Sequence, residues 1–119
     1  MERKTTSSNY LNQSFLEEKC VLNELINLLS KRWMTEVIFG IEEGHNRFSS
    51  LKEELESISD HILADRLRLL EANHFITKQV FNDTPMRVEY TLTDQGRKLS
   101  SLLGGLCDFA EIITLAKEE

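Results

Sequence analysis

The sequence predicts a mainly α-helical chain with one small β-hairpin, and three observations carry that prediction. Apolar residues recur at helical spacing over most of the length. Across residues 76–92 the period changes to two, in two alternating runs separated by a turn that holds the only proline. Helical spacing then resumes in a long apolar stripe. With 119 residues, 40% of them hydrophobic, the chain suits one compact domain, because a protein of this size hides only about two-thirds of its unfolded surface. The expected organisation is a flexible polar arm at 1–9 and a single domain at 10–119.

The arm is Ser/Thr-rich and without periodicity, so nothing in it can join a core. Tyr10, Leu11, Phe15 and Leu16 suit a short helix. Val21, Leu22, Leu25, Ile26, Leu28 and Leu29 define a firmer one. Trp33, Val37, Ile38 and Ile41 continue the pattern to Gly44, where left-handed backbone costs a glycine little. The two helices are expected to meet near Lys31-Arg32. In the segment from Arg47 to Leu55, Ser50 and Glu53 have capping-box spacing, which predicts another short helix. Ser59, with Asp60 behind it, caps a further helix whose Leu63, Leu67 and Leu70 share one face to about Asn73. Two short helices joined by a few residues outline a helix-turn-helix, an outline that many purely structural pairs share.

Ile76, Lys78 and Val80 alternate with Thr77, Gln79 and Phe81, and Val88, Tyr90 and Leu92 with Arg87, Glu89 and Thr91. The residues between them, Asn82 to Pro85, read as the turn of a hairpin. Thr93-Asp94 caps a last helix, expected at about 93–117, whose stripe of Leu99, Leu102, Leu103, Leu106, Phe109 and Ile113 needs a partner surface. Gly104-Gly105 interrupts it at about 1 kcal/mol each relative to alanine, a cost offset if they permit a bend or a close helix approach.

Helix, helix, hairpin is the order of a winged helix-turn-helix, in which one helix enters the major groove and the hairpin follows the flanking backbone or minor groove. The recognition helix falls at about 59–73 and the wing at about 76–92. With Leu63 at zero on a helical wheel, His61, Ala64, Asp65 and Arg68 lie on the opposite side. Arg68 offers a forked donor to guanine or phosphate, His61 a donor to a base edge, Asp65 an acceptor for cytosine, and Ala64 room for close approach. Ser49, Lys78 and Arg87 complete the candidate DNA-binding set, and Arg97 with Lys98 adds to a phosphate track. An ordinary solvated helix face carries the same residue types. Arg66, beside the apolar stripe, is read as structural, paired with an acid such as Glu71 or Glu89.

The formal charge of −6 argues against a nucleic-acid partner, but its distribution softens that argument. Residues 45–98 carry 9 acids and 8 bases, the remainder 11 and 6. Cys20 and Cys107 stand far apart with no metal-ligand spacing, and His45, His61 and His74 are scattered without a nucleophile partner. Neither a cofactor, a metal centre nor an enzyme is expected. Apolar runs are short and the first residues are charged, which suits a cytoplasmic protein without a membrane partner. A protein-interaction module built on the same winged fold is the competing reading.

Over about Cys20 to Ala110 the sequence resembles the HxlR family of winged helix-turn-helix regulators. The residues that carry the resemblance are Cys20 with Trp33, Arg47-Phe48 with Leu51, Ile58-Ser59 with Leu63, Arg66-Leu67, Leu70-Glu71, Arg87-Val88-Glu89-Tyr90, and Leu92-Thr93 with Gly96. It departs from the family at Val21, Ser30-Lys31-Arg32, His61 and Met86. The resemblance implies transcriptional regulation by a homodimer on a near-palindromic operator, with the terminal helices packed together. Some members of the family use a cysteine at the position of Cys20 to sense oxidants or electrophiles, so the resemblance leaves two readings of Cys20, a sensor and a simple packing residue. Cys107, beside the apolar stripe, is expected to be a small buried hydrophobe.

Overall fold

The computed structural model describes residues 21–116. The polar arm, the expected short helix around Tyr10 to Leu16, and Cys20 lie outside the described residues. The chain divides into two compact units between Arg32 and Trp33. In the first, residues 21–29 are helical (α1), and the turn that follows closes with Ser30 N donating to the Ile26 carbonyl at 2.8 Å. The second unit runs α2 (Met34–Glu42), α3 (Phe48–Leu55), α4 (Asp60–Ala72), β1 (Ile76–Phe81), β2 (Arg87–Leu92) and α5 (Asp94–Ile112). This is the mainly helical order with one hairpin that the sequence predicts.

Local chemistry sets most boundaries. Trp33 takes a left-handed conformation (φ 75°) ahead of α2, which breaks the helical run near the expected junction. Gly44, at φ 109°, follows α2 and lets the chain turn. Ser59 accepts a hydrogen bond from Ile62 N at 3.1 Å and caps α4 as expected. Thr93 caps α5 by accepting from Gly96 N at 2.9 Å.

The capping box expected at Ser50 and Glu53 does not form. Leu51 N already bonds to the Arg47 carbonyl at 3.0 Å, so α3 begins at Phe48, and Arg47 precedes it without a side-chain cap. Complete burial of Leu51 selects that register, and Ser50 Oγ meets His45 Nδ1 at 2.7 Å instead. The turn into α4 is held by Lys52, which donates to the Ile58 carbonyl at 2.8 Å and pairs with Asp60 at 3.0 Å.

The core combines Met34, Val37 and Ile38 of α2 with Leu51, Ile58, Leu63, Leu67 and Leu70. Ile76 and Leu92 face each other at the base of the antiparallel hairpin and close the core there. Beyond them the wing projects outward, and Val80 near its tip is 50% exposed.

Three expectations for the last helix need correction. The helix ends at Ile112, with Ile113 extended, short of the expected limit. Leu99 and Leu103 are buried in the chain's own core, whereas Leu102, Leu106 and Phe109 are 64%, 60% and 56% exposed. The helix outruns the core that covers its first half, so one continuous stripe serves two surfaces. Cys107 lies on the exposed part and is itself exposed, not buried. A Cβ at Gly104 or Gly105 would meet nothing within 4 Å among the described residues, so no contact described within the chain requires either glycine.

Gly96 is different, because a Cβ there would lie 2.0 Å from the Phe75 carbonyl oxygen. Gly96→Ala is expected to lower stability by about 1 to 3 kcal/mol, the range for overpacking a tight contact. Urea unfolding followed by circular dichroism would measure it, and an unchanged midpoint would show that this contact relaxes freely.

Candidate nucleic-acid interface

One turn after another, α4 presents His61, Ala64, Asp65 and Arg68 away from its buried Leu63, Leu67 and Leu70. Those four line a single open concavity of about 200 Å³. A second groove, of about 280 Å³, runs between α4 and the wing and is lined by Phe48, Ala64, Leu67, Arg68, Glu71, Lys78 and Tyr90. Arg68 and Ala64 belong to both, so the helix face and the wing form adjoining surfaces. Ser49 is exposed at the start of α3. The wing is tied to the loop before α3 by Tyr90 N, which donates to the Asn46 carbonyl at 2.8 Å.

The charged groups are unequally available. Asp65 accepts from Arg68 Nη2 at 2.7 Å through Oδ1 and from Arg66 Nη1 at 2.6 Å through Oδ2. Arg66 is paired with an acid, as expected, and among the described residues that acid is its neighbour Asp65, not Glu71 or Glu89. Arg68 remains 66% exposed despite its bond. Arg87 turns onto the wing itself: its guanidinium lies 4.0 Å from the Phe81 ring centroid, 3.2 Å from Asp83 and 3.6 Å from Glu89. Its Nε is buried without a hydrogen-bond acceptor among the described residues. Arg97 is held by the Leu92 carbonyl at 2.9 Å and by Asp94. Of the bases expected to converge on one track, Lys78 is the one that joins Arg68 in the groove lining.

Sequence reasoning missed Phe48, Glu71 and Tyr90 as groove-lining residues. Strand alternation does signal one of them, because Tyr90 pairs across the hairpin with Lys78 and shares its face. Burial, with a contribution from the Glu71 charge, raises the Tyr90 hydroxyl above its ordinary pKa. Among the described residues, Glu43, His45 and Glu54 bring potential metal-ligand atoms within 4.8 Å of one another. Both imidazole nitrogens of His45 already have neighbours, Ser50 at 2.7 Å and Glu54 at 3.3 Å.

A helix pair whose second member exposes a polar concave face beside a two-stranded wing defines a winged helix-turn-helix protein. Residues 28–117 match the HxlR-like helix-turn-helix family, and the chain belongs to that family of transcriptional regulators, which is not a class of enzymes. It is 36% identical over 101 residues to the uncharacterized HTH-type transcriptional regulator YvaP of Bacillus subtilis, covering 84% of this chain and 91% of that protein. Among solved structures it is similar to the reduced form of the transcriptional regulator YodB from B. subtilis, at TM-score 0.72 and 32% identity, with 81% and 94% of the two chains covered. It also resembles the redox regulator HypR in its oxidized form, at TM-score 0.70 and 25% identity, with 82% and 100% covered. Among the described residues no helix is long and apolar enough to cross a membrane.

The hydrogen bond from Arg68, opposed by partial desolvation and reinforced by Arg66, holds the Asp65 carboxyl below its ordinary pKa of 3.8. A depressed folded value means that this carboxylate's contribution to stability is complete above the unfolded value and is lost as pH falls through the folded one. Carbonyl-detected NMR titration should place Asp65 below 3.8, with the midpoint moving upward in Arg68→Ala. A midpoint unaffected by that substitution would mean that the pair does not persist in solution.

Proposed function

We propose that the protein is a sequence-specific duplex-DNA-binding transcriptional regulator that acts as a cytoplasmic homodimer. In this reading α4 enters the major groove, and the wing lies along the flanking backbone or minor groove. The observation that carries it is the concave face of His61, Ala64, Asp65 and Arg68 adjoining a groove that also holds Lys78. Dimerisation is supported by Leu102, Leu106 and Phe109, an apolar surface left exposed where α5 outruns its own core. Two recognition helices about 34 Å apart would read half-sites one turn apart, giving a near-palindromic operator.

Fluorescence anisotropy with an operator obtained by selection from genomic fragments tests this reading. The protein should prefer its site over a scrambled duplex by about 10³-fold or more, with affinity falling steeply as salt rises. Arg68→Ala should lose about 1 to 3 kcal/mol of discrimination at one base pair, while Lys78→Ala weakens all duplexes alike and lowers the salt slope by about 1. Failure to enrich any duplex would favour the protein-interaction module instead.

We further propose that Cys20 is a thiol switch for this regulator, with an oxidant or electrophile as the effector. The support lies in the relatives: YodB has been solved after diamide treatment as well as reduced, and HypR is a redox regulator. A cysteine reacts as its thiolate, and Lys19 favours that form while Glu17, Glu18 and Glu24 oppose it. Cys20→Ser should bind the operator as the unsubstituted protein does but lose its response to diamide. A full response in that variant would move the switch elsewhere, with the exposed Cys107 the next residue to substitute.

A further inference from the structure

Sequence position alone makes Asp65 a reader of bases, a free acceptor on the exposed face of α4. The structure gives its carboxylate another occupation. An ionised carboxylate only accepts, and here each oxygen already takes a guanidinium N–H, from Arg68 on Oδ1 at 2.7 Å and from Arg66 on Oδ2 at 2.6 Å. The two arginines differ in setting. The Arg66 side chain is 15% exposed and the Arg68 side chain 66%, so the carboxylate bridges a packed cation to one that stands out in solvent. A long exposed side chain that would otherwise sample many rotamers is thereby tethered to the helix body.

Resting on the DNA-binding reading above, we propose that Asp65 is a positioning residue that presets Arg68 as a reader of guanine, with Arg66 as its anchor. The Asp65 bond occupies Arg68 Nη2. Arginine has five N–H donors in a rigid fork, so donors remain for the paired acceptors O6 and N7 that guanine shows in the major groove. Ala64, within the same concavity, leaves the fork room to approach a base edge. Presetting lowers the ordering cost of binding and also acts against other bases, because a tethered fork cannot swing to a nearby phosphate as a free arginine can. Charge is tuned by the same arrangement. The Asp65 carboxylate offsets part of the positive charge that Arg68 presents, which limits its attraction for any phosphate regardless of sequence.

This role predicts opposite signs for two readouts, which a merely structural residue would not give. Binding of the full-length protein is measured on its selected operator, on the four base-pair variants at the position where Arg68→Ala loses discrimination, and on scrambled duplex. Asp65→Asn should lose discrimination at that same base pair by about tenfold or more, yet bind scrambled duplex several-fold more tightly. In an Arg68→Ala background it should change discrimination no further. A DNA-free readout accompanies these: NMR of the Arg68 guanidinium should show restricted rotation in the unsubstituted protein and free rotation in Asp65→Asn. Retained discrimination in Asp65→Asn, or loss at a different base pair, would overturn the positioning role, the latter showing that Asp65 reads a base itself. An unsubstituted protein that prefers no duplex would instead remove the DNA-binding reading, a failure separate from either result.

Discussion

The second unit depends on a single close contact, Gly96 against the Phe75 carbonyl. That oxygen also accepts from Thr93 N at 3.0 Å, and the Thr93 hydroxyl donates to the His74 carbonyl at 2.7 Å. Gln95 Nε2 reaches the Asn73 carbonyl at 3.2 Å in the same place. Four element ends meet there: the exit of α4, the start of β1, the finish of β2 and the first turn of α5. A side chain at position 96 would press on the Phe75 carbonyl and on Leu92, which closes the base of the hairpin opposite Ile76. The knot therefore fixes the wing relative to α4 and sets the direction in which α5 leaves the core.

Much of this architecture was legible in the sequence because it rests on local rules. The change of period at residues 76–92, the caps Ser59 and Thr93, and the buried face of Leu63, Leu67 and Leu70 all follow from spacing and short-range hydrogen bonding. What was not legible depends on choices among partners. Ser50 satisfied the pattern of a capping box, yet the burial of Leu51 moved the helix start and gave Ser50 to His45. Leu99 and Leu103 have the same spacing logic as Leu106, and only the extent of the core separates buried from exposed. Arg66 has several acids near it in sequence, and among the described residues its guanidinium reaches Asp65.

The candidate site shows the same division. The wheel placed His61, Ala64, Asp65 and Arg68 together, and the structure gathers them into one concavity. Their availability was hidden, because pairing depends on side-chain reach across elements. Arg87 appears from sequence as an outward base on a wing strand. Its guanidinium instead lies over Phe81 between Asp83 and Glu89, where it braces the hairpin.

That bracing bears on how an acidic chain can suit a polyanion. Four acids of the second unit lie beside its arginines: Asp65 by Arg66 and Arg68, Asp83 and Glu89 by Arg87, Asp94 by Arg97. Each pairing converts a diffuse attraction for phosphate into a located charge or a structural tie. Long-range attraction is thus weakened, while the groove shared by Arg68 and Lys78 keeps its positive groups at defined positions. A surface built this way gains little from bulk charge and depends on geometry for its affinity. On the proposed DNA-binding reading, the negative net charge becomes a reason to expect selectivity, since duplexes that do not match the positions of those few cations would have little else to hold them.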